Sequence, residues 1–404
     1  MKKIGILVFI LTCLSLNGIS QTAESLLENG REAYLNYDFG EASRLYAQAK
    51  KKSKASDSDF NALYDTYFSQ LNAANNYLER VEKLVIIDSI TVPRDRFFKS
   101  YRLPSSSGYL DDGSSLPFRK ISGVDYVFSN EGEDYKLWSQ PDSTGRMHLV
   151  ESRLLTDGKW SEPESLDEDL SEDGDAIFPF MMSDGVTLYY ADNGDNSIGG
   201  YDIMVAMRDA TDGSFLQPSN LGFPYNSPYD DYLLAIDELN GVGWWATDRN
   251  RLEDEITVYV FIYNDTRENY PADEEDLAGF ARIDNYIATQ PEDADYDELL
   301  TTIRSINPSE RKQKAEFTLP APGGKTYHRY DELSDAKARM AVKQYLDACD
   351  RLQQSEKELE KLRKQYNGNR SEVTASAIRK AEKNIETERM QTAKMRSELY
   401  KILK

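Results

Sequence analysis

The spacing of hydrophobic residues divides the chain into three parts. From about residue 22 to 82, apolar residues recur every three or four positions, which is typical of amphipathic helices. From about 84 to 265, short runs rich in β-branched and aromatic residues alternate with Gly, Asp, Asn and Pro, which predicts strands joined by tight turns. From about 266 the helical spacing returns, with a Pro- and Gly-rich interruption at 319–324. The pattern therefore predicts a multidomain protein with separate helical and strand-rich regions.

The first helical region is predicted to span residues 22–83. A turn at 36–40 separates two helices, and an apolar stripe over 57–81 predicts a third. Small and aromatic residues flank the turn at the spacing of a tetratricopeptide repeat: Gly30, Ala33, Phe39, Ala42, Tyr46 and Ala49. The region resembles that repeat, and a generic helical hairpin is the alternative. Because one repeat plus one helix is short for a free-standing array, we expect it to pack against another domain.

The strand-rich region, residues 84–265, contains turn motifs in a recurring order. Ser183-Asp184-Gly185 joins two predicted strands, Gly199-Gly200-Tyr201-Asp202-Ile203 opens a third, and a link at 226–232 leads to the next pair. These motifs resemble the TolB-like (WD-like) β-propeller repeat over Pro179–Ala191, Gly199–Val205 and Asn226–Arg249. The resemblance implies blades of about 40–45 residues in four strands each. Three blades are readable and a fourth requires strands from 85–92, so we expect a small or incomplete propeller, or a ring closed by helices.

The rest of the chain is predicted to be a helical and extended connector, 266–332, followed by two long helices, 333–404. Apolar residues recur every seven positions along the first long helix: Tyr345, Leu352, Leu359 and Tyr366. A break at 367–369 precedes a second such helix at about 371–402. The pattern predicts an antiparallel coiled-coil hairpin.

The N-terminus has the organisation of a secretory signal peptide. Lys2 and Lys3 precede an apolar run over 4–16, and small residues at Gly18 and Ser20 predict cleavage after residue 20. We therefore expect an exported protein, periplasmic or associated with the outer membrane. The alternative is a lipoprotein that is lipidated on Cys13.

Charge is abundant and unevenly distributed. The chain has 70 Asp and Glu against 48 Lys and Arg, a formal charge of −22. Residues 1–300 carry a net charge of −30 and residues 301–404 carry +8. This balance argues against a protein that binds nucleic acid through its phosphates, and it favours docking between surfaces of opposite charge. No transmembrane span is predicted after the N-terminal apolar run.

The sequence offers little for catalysis or for a cofactor. It has two His and two Cys, and it lacks the motifs of P-loop nucleotide-binding proteins, zinc proteases and α/β hydrolases. His148 and His328 have no motif around them. We expect no enzyme activity, no metal and no cofactor, and a hydrolase on the propeller is only a third hypothesis.

The candidate partner or ligand surface lies in the propeller-like region. It comprises Asp192, Asp195, Tyr201, Asp230, Asp231, Trp244, Trp245, Asp248 and Arg249. The structural interpretation is that these aspartates cap turns and pair across blade edges, while the tryptophans pack between blades. The rival interpretation is that the loop at 192–196 binds Ca²⁺ and that whichever adjacent tryptophan faces outward stacks on a glycan or a partner.

These features together predict a non-enzymatic exported scaffold that docks envelope proteins through its propeller and helical surfaces. Similar chains, which combine helical repeats with a propeller, occur among the components of envelope secretion and gliding machinery, and they often end in a peptidoglycan-binding domain. After residue 265 this chain shows no recognisable domain of that kind. The alternative function is a glycan- or Ca²⁺-dependent binding module on the propeller.

Overall fold

The structure, a computed structural model, describes residues 22–403 except 119–120, 122, 167–169, 172, 311–316, 323–324 and 334. The chain divides into two compact units, Met1–Lys312 and Gln313–Lys404. The predicted signal peptide and Cys13 lie outside the described residues. Helices and antiparallel sheets occur together, as predicted. Within the described ranges, no helix combines the length and the apolar character that crossing a membrane requires.

Three helices open the first unit: α1 (Ala23–Leu35), α2 (Phe39–Lys52) and α3 (Ser58–Leu78). Each begins at a side-chain cap, because Thr22, Asp38 and Asp57 each accept a hydrogen bond from the backbone N–H three residues later. Helices α1 and α2 approach closely where Gly30 faces Tyr46. A β-carbon at Gly30 would lie 2.5 Å from the Tyr46 ring, so the close approach requires glycine.

Three antiparallel sheets follow. The first contains β2 (Tyr109–Asp111), β3 (Val127–Ser129), β4 (Tyr135–Pro141), β5 (Met147–Arg153) and β6 (Glu164–Ser165). The second contains β7 (Ala176–Met181), β8 (Thr187–Asp192), β9 (Asp202–Met207) and β10 (Ser219–Asn220). The third contains β11 (Asp231–Asp237), β12 (Val242–Thr247) and β13 (Glu255–Ile262), with β1 (Ile86–Pro93) at its edge. Apart from β1, successive strands pair in order within each sheet.

Strand β1 belongs to the third sheet. It pairs antiparallel with β13, where Ile90 lies opposite Val258. The segment at 85–92 therefore completes a sheet that is formed much later in the chain. It does not begin a fourth sheet, so this part of the described chain has three large sheets.

The first strands of the second and third sheets contain matching irregularities. In β7 and in β11 the pairing register shifts beside a residue with positive φ, Phe178 at 52° and Leu233 at 37°. A bulge leaves carbonyl groups without a strand partner. The Tyr126 hydroxyl donates to the Pro179 carbonyl at 3.0 Å, and the Tyr101 hydroxyl donates to the Leu233 carbonyl at 2.8 Å. Tyrosines between the sheets thus satisfy the bulged backbone.

Aromatic rings fill the space where the three sheets converge. The Phe178 ring of the second sheet lies 5.3 Å from the Tyr126 ring, which precedes β3, and 5.8 Å from the Tyr232 ring of β11. Phe97 closes the group, 5.2 Å from Phe178. The space between the converging sheets is therefore a packed core.

Two shorter helices complete the first unit, α4 (Leu277–Arg282) and α5 (Asp297–Ser305). Ile283 and Ile303 are buried in the core of the sheets, and Ala281 is buried with the N-terminal helices. This part of the predicted connector is therefore integral to the first unit.

The second unit has a short strand pair, β14 (Leu319–Pro320) and β15 (Thr326–Tyr327), and two long helices, α6 (Ala336–Gly368) and α7 (Glu372–Ile402). Ion pairs join Arg363 to Glu382 at 2.7 Å and Glu356 to Arg389 at 2.6 Å. Since positions advancing along α6 meet positions receding along α7, the helices run antiparallel. Helix α6 continues through residue 368, one residue past the start of the predicted break.

Candidate functional site

Asp231 and Arg249 form a buried ion pair, which we call the latch. The carboxylate has no exposed surface, and the side chain of Arg249 is 2% exposed; their Oδ1 and Nη2 atoms are 3.0 Å apart. Ser227 also donates to the carboxylate at 2.7 Å, while Arg249 donates to the carbonyls of Pro224 and Tyr225. Burial raises the pKa of Asp231 to about 6, although Arg249 acts to lower it. The latch holds β11 and the end of β12 to the preceding loop.

Asp230 and Tyr201 join the second sheet to the third. The Asp230 carboxylate accepts hydrogen bonds from the Tyr201 backbone N–H at 2.9 Å and from the Tyr232 hydroxyl at 3.0 Å. In the same link, the Asn226 side chain accepts from the Ile203 N–H at 2.7 Å and donates to its carbonyl at 3.0 Å. The link at 226–232, which begins Asn-Ser-Pro-Tyr-Asp-Asp, therefore connects the second sheet to the third.

Asp248 also has a structural partner. It forms a two-point ion pair with Arg94, which directly follows β1. Because β1 and β12 belong to the same sheet without being neighbours in it, this pair connects its edge to its interior. The side chain of Asp248 is 16% exposed, so little of it faces solvent.

Neither tryptophan of β12 faces outward. Trp244 is 1% exposed and Trp245 has no exposed surface. The Trp245 ring packs against Tyr225 and Phe261, and Trp244 lies beside Tyr101. The expectation that one of them faces outward is therefore wrong, and the rival interpretation of an outward tryptophan stacking on a glycan or a partner loses its basis. The physical reason is that both faces of this strand are covered, so the alternation of side chains leaves no solvent side.

Asp202 is a buried residue outside the predicted site. Its carboxylate has no exposed surface and accepts from the Ile198 N–H at 2.7 Å, the Gly199 N–H at 3.3 Å and the Asn220 side chain at 2.6 Å. Burial raises its pKa well above the usual range. Its place in the Gly-Gly-Tyr-Asp-Ile motif was the available signal, because a carboxylate after two glycines can reach the backbone N–H groups of its own turn.

The N-terminal helices pack on the loop that Asp202 organises. The Tyr34 hydroxyl donates to the Ile198 carbonyl at 2.6 Å, and the Gln70 side chain donates to the Gly199 carbonyl at 2.9 Å. Ile198 and Phe223 are buried in the same hydrophobic cluster as α1, α2 and α3. The helices and the second sheet thus form one surface at this end of the sheet.

An open cleft of about 580 Å³ lies between α3 and the β8–β9 loop. Its charged lining residues are Asp65, Asp173 and Asp195, and none of its described lining residues is Lys or Arg. We call it the acidic cleft. The charge of Asp173 raises the pKa of Asp195, and no Lys or Arg among the described lining residues relieves the repulsion between these two carboxylates. The third, Asp65, lies 3.9 Å from Nζ of Lys50, which is outside the lining.

Asp192 precedes the same loop, does not line the acidic cleft and differs from Asp195. It is buried, and it accepts from the Ser171 hydroxyl at 2.6 Å and from the Gly194 N–H at 3.1 Å. Across the described part of the chain, no group of three or more His, Cys, Asp or Glu residues is placed to hold a metal ion. The Ca²⁺ hypothesis for the loop at 192–196 thus lacks a ligand set there.

Seven of the nine predicted residues lie in buried or partly buried contacts within or between the sheets, Asp192 braces its own loop, and Asp195 faces an open cleft. Comparisons with protein-family models, with curated proteins and with solved structures found no match for this chain.

Proposed function

We propose that this chain is an exported, non-enzymatic interaction protein of the bacterial envelope, periplasmic or associated with the outer membrane. In this proposal, tetratricopeptide-like helices and a small TolB-like propeller together hold a basic segment of a partner protein, and a coiled-coil hairpin follows. The observation that carries the proposal is the acidic cleft, in which three carboxylates line an open space between a helix and a sheet.

Electrostatics favours a basic occupant of the acidic cleft. Asp173 and Asp195 repel each other, and a lysine or arginine side chain placed between them would remove that repulsion. Complementary charge also speeds encounter and fixes orientation, and the −30 net charge of residues 1–300 acts in the same direction.

Helix α3 also exposes apolar side chains outside the lining of the acidic cleft. Leu63 and Phe68 are 45% and 40% exposed, whereas Tyr64 and Leu71 on the same helix are buried. Interfaces combine apolar anchors with a charged rim, so this helix has both components. A partner segment with basic and apolar side chains fits this surface.

The organisation of the sheets supports binding over catalysis. Aromatic rings fill the convergence of the sheets, and the buried carboxylates Asp202 and Asp231 are held by donors that shape the fold. The glycan- or Ca²⁺-dependent alternative has no observation in its favour, because its tryptophans are buried and its loop lacks a ligand set among the described residues.

The test is a crosslinking pull-down from intact envelopes with wild type and the triple variant Asp65→Asn, Asp173→Asn, Asp195→Asn. The matched control is Glu79→Gln, Glu274→Gln, Asp293→Asn, which removes the same charge from exposed positions away from the acidic cleft. We expect one envelope protein to be recovered with wild type and the control and to be lost with the cleft variant. Equal recovery with all three, or recovery of no envelope protein, would contradict the proposal.

A further inference from the structure

One end of the helix pair α6–α7 carries a concentration of positive charge. Residues 361–380 include the end of α6, the turn at 369–371 and the start of α7, and they contain six Lys or Arg and one Glu, a net charge of +5. We call this segment the basic tip. The adjoining stretches of the two helices, 344–360 and 381–395, contain eight acidic and five basic residues, a net charge of −3. An acidic stretch thus separates the basic tip from the other basic residues of this unit.

Ion pairs within the helix pair leave half of the basic side chains of the tip unpaired. Three of the six have a carboxylate partner, and two of these carboxylates lie outside the tip; counting both of them still leaves a net charge of +3. The pairs are Arg363–Glu382 at 2.7 Å, Lys364–Glu360 at 2.8 Å and Arg379–Glu372 at 2.6 Å. The other three side chains are exposed and form no ion pair within the described part of the chain: Lys361, Arg370 and Lys380.

The basic tip also exposes an apolar side chain. Val373, the second residue of α7, is 80% exposed. At the opposite end of the helix pair, Val342 and Leu399 are buried in one hydrophobic cluster with Leu319 of β14. One end of the pair is therefore packed, whereas the tip leaves both charge and an apolar side chain in solvent.

We propose that the basic tip docks on the surface of a membrane that contains anionic phospholipid. Lys361, Arg370 and Lys380 meet the lipid phosphates. Val373 enters the boundary between the headgroups and the acyl chains. Each Lys or Arg close to an anionic bilayer adds to the attraction, and an apolar group that is buried beside them strengthens it further.

A lipid surface fits this arrangement better than a single phosphate does. Because a helix rises 1.5 Å per residue, the six basic residues lie on both helices and their turn, within about 12 Å of that turn. An array of headgroups can meet several of them at once. Val373 gains from burial in the lipid boundary, whereas a phosphate in solution offers it no such burial. The inference rests on the proposed location in the envelope but not on the acidic cleft, so either proposal can fail without the other.

The test is cosedimentation with vesicles of the chain from residue 21 onward, since the predicted signal peptide is apolar enough to bind lipid by itself. Phosphatidylcholine vesicles with about 30% phosphatidylglycerol are compared with vesicles of phosphatidylcholine alone. We expect binding to the anionic vesicles to be at least about tenfold tighter and to be lost at about 0.5 M salt, because salt screens the attraction. Equal binding to both vesicles, or binding to neither, would overturn the proposal. Stronger displacement by inorganic phosphate than by chloride at equal ionic strength would also overturn it, since that result indicates a discrete phosphate site.

Two matched triple variants locate the contact. The tip variant is Lys361→Gln, Arg370→Gln, Lys380→Gln, and the control, Lys337→Gln, Lys343→Gln, Lys401→Gln, removes the same charge from exposed positions at the other end of the same helices. Because the tip variant breaks no ion pair of the described structure, we expect its thermal unfolding to match wild type. It should bind anionic vesicles at least about tenfold more weakly, and the control should change binding less than about twofold. Unchanged binding in the tip variant, or an equal loss in the control, would contradict the proposal.

A polarity-sensitive dye reports whether the tip enters the bilayer. The dye is attached through Val373→Cys or through Met390→Cys, each in a Cys349→Ser background; Met390 is 71% exposed in the middle of α7. With anionic vesicles, the emission from position 373 should shift to shorter wavelength, and the emission from position 390 should not. No shift at 373, or the same shift at both positions, would overturn the proposal. Loss of an acidic protein from the pull-down of the tip variant, with vesicle binding unchanged, would assign the tip to a protein partner and would also overturn it.

Discussion

The latch and the acidic cleft place aspartates in opposite surroundings. Asp231 of the latch is fully enclosed, and its carboxylate contacts Arg249 and Ser227. Asp195 of the acidic cleft faces solvent beside a second carboxylate. Both lie beside turns, yet Asp231 holds the third sheet to the loop that precedes it, whereas Asp195 leaves its charge available. In an acidic chain, therefore, the surroundings of a carboxylate distinguish a structural role from a binding role.

The largest expected effect comes from breaking the latch. Arg249→Met should lower the free energy of unfolding by about 3–5 kcal/mol, because it leaves the Asp231 carboxylate buried without its cation. Urea denaturation of the full chain would measure this loss of stability in the first unit. The control, Arg251→Met, changes an exposed arginine two residues away and should cost less than about 1 kcal/mol. Equal effects of the two changes would mean that the latch is unimportant.

The latch also predicts a dependence of stability on pH. Burial raises the pKa of Asp231 to about 6, above the value of about 3.9 for an unfolded aspartate, so the folded state binds this proton more tightly. The contribution of Asp231 is therefore largest at low pH and is lost as the pH rises through 6. Relative to Asp231→Asn, the unfolding free energy of wild type should fall by about 2 kcal/mol between pH 4 and pH 7. A difference that rises over this range would refute the assignment.

The packing of the N-terminal helices can be tested at two glycines. Gly30→Ala places a methyl group 2.5 Å from the Tyr46 ring and should cost about 1–3 kcal/mol. Gly40→Ala meets only a side-chain oxygen of Asp38 at 3.8 Å and should be neutral or stabilising by up to about 1 kcal/mol. Thermal unfolding of both variants makes the comparison, and a reversed order would contradict the close approach of α1 and α2.

The smallest effect on stability is expected in the acidic cleft. Asp195→Asn removes the repulsion from Asp173 and should raise the free energy of unfolding by no more than about 0.5 kcal/mol, since the group is exposed. Denaturation at low and at high salt would check it, because screening should abolish the gain. A clear loss of stability would place Asp195 among the structural aspartates instead.

Sequence patterns predicted the elements better than their assembly. The short β-branched and aromatic runs, with Gly-containing turns such as Ser183-Asp184-Gly185, correctly indicated strands. The pairing of β1 with β13 could not be predicted, because it joins residues about 170 positions apart and depends on contacts that a local pattern does not encode.

The candidate site was predictable only in part. The alternation of side chains along β12 suggested that one tryptophan faces outward. Periodicity alone does not show that both faces of this strand are covered. The aspartates could be found because they belong to recognisable turn motifs. Their burial depends on partners that are distant in the sequence, such as Arg94, which is 154 residues away from Asp248. The acidic cleft needed the placement of Asp65 on α3 beside a loop of the second sheet.

The most direct test of whether a partner binds in the acidic cleft is site-specific photo-crosslinking in intact cells. A photoreactive side chain at Ser69, which lines the acidic cleft, is compared with one at Ser143, which is exposed in the β4–β5 turn. We expect one crosslinked envelope protein from position 69, none from position 143, and loss of that product when Asp65, Asp173 and Asp195 are all changed to Asn. The same product from both positions, or its persistence in the neutralised cleft, would show that the acidic cleft does not hold the partner.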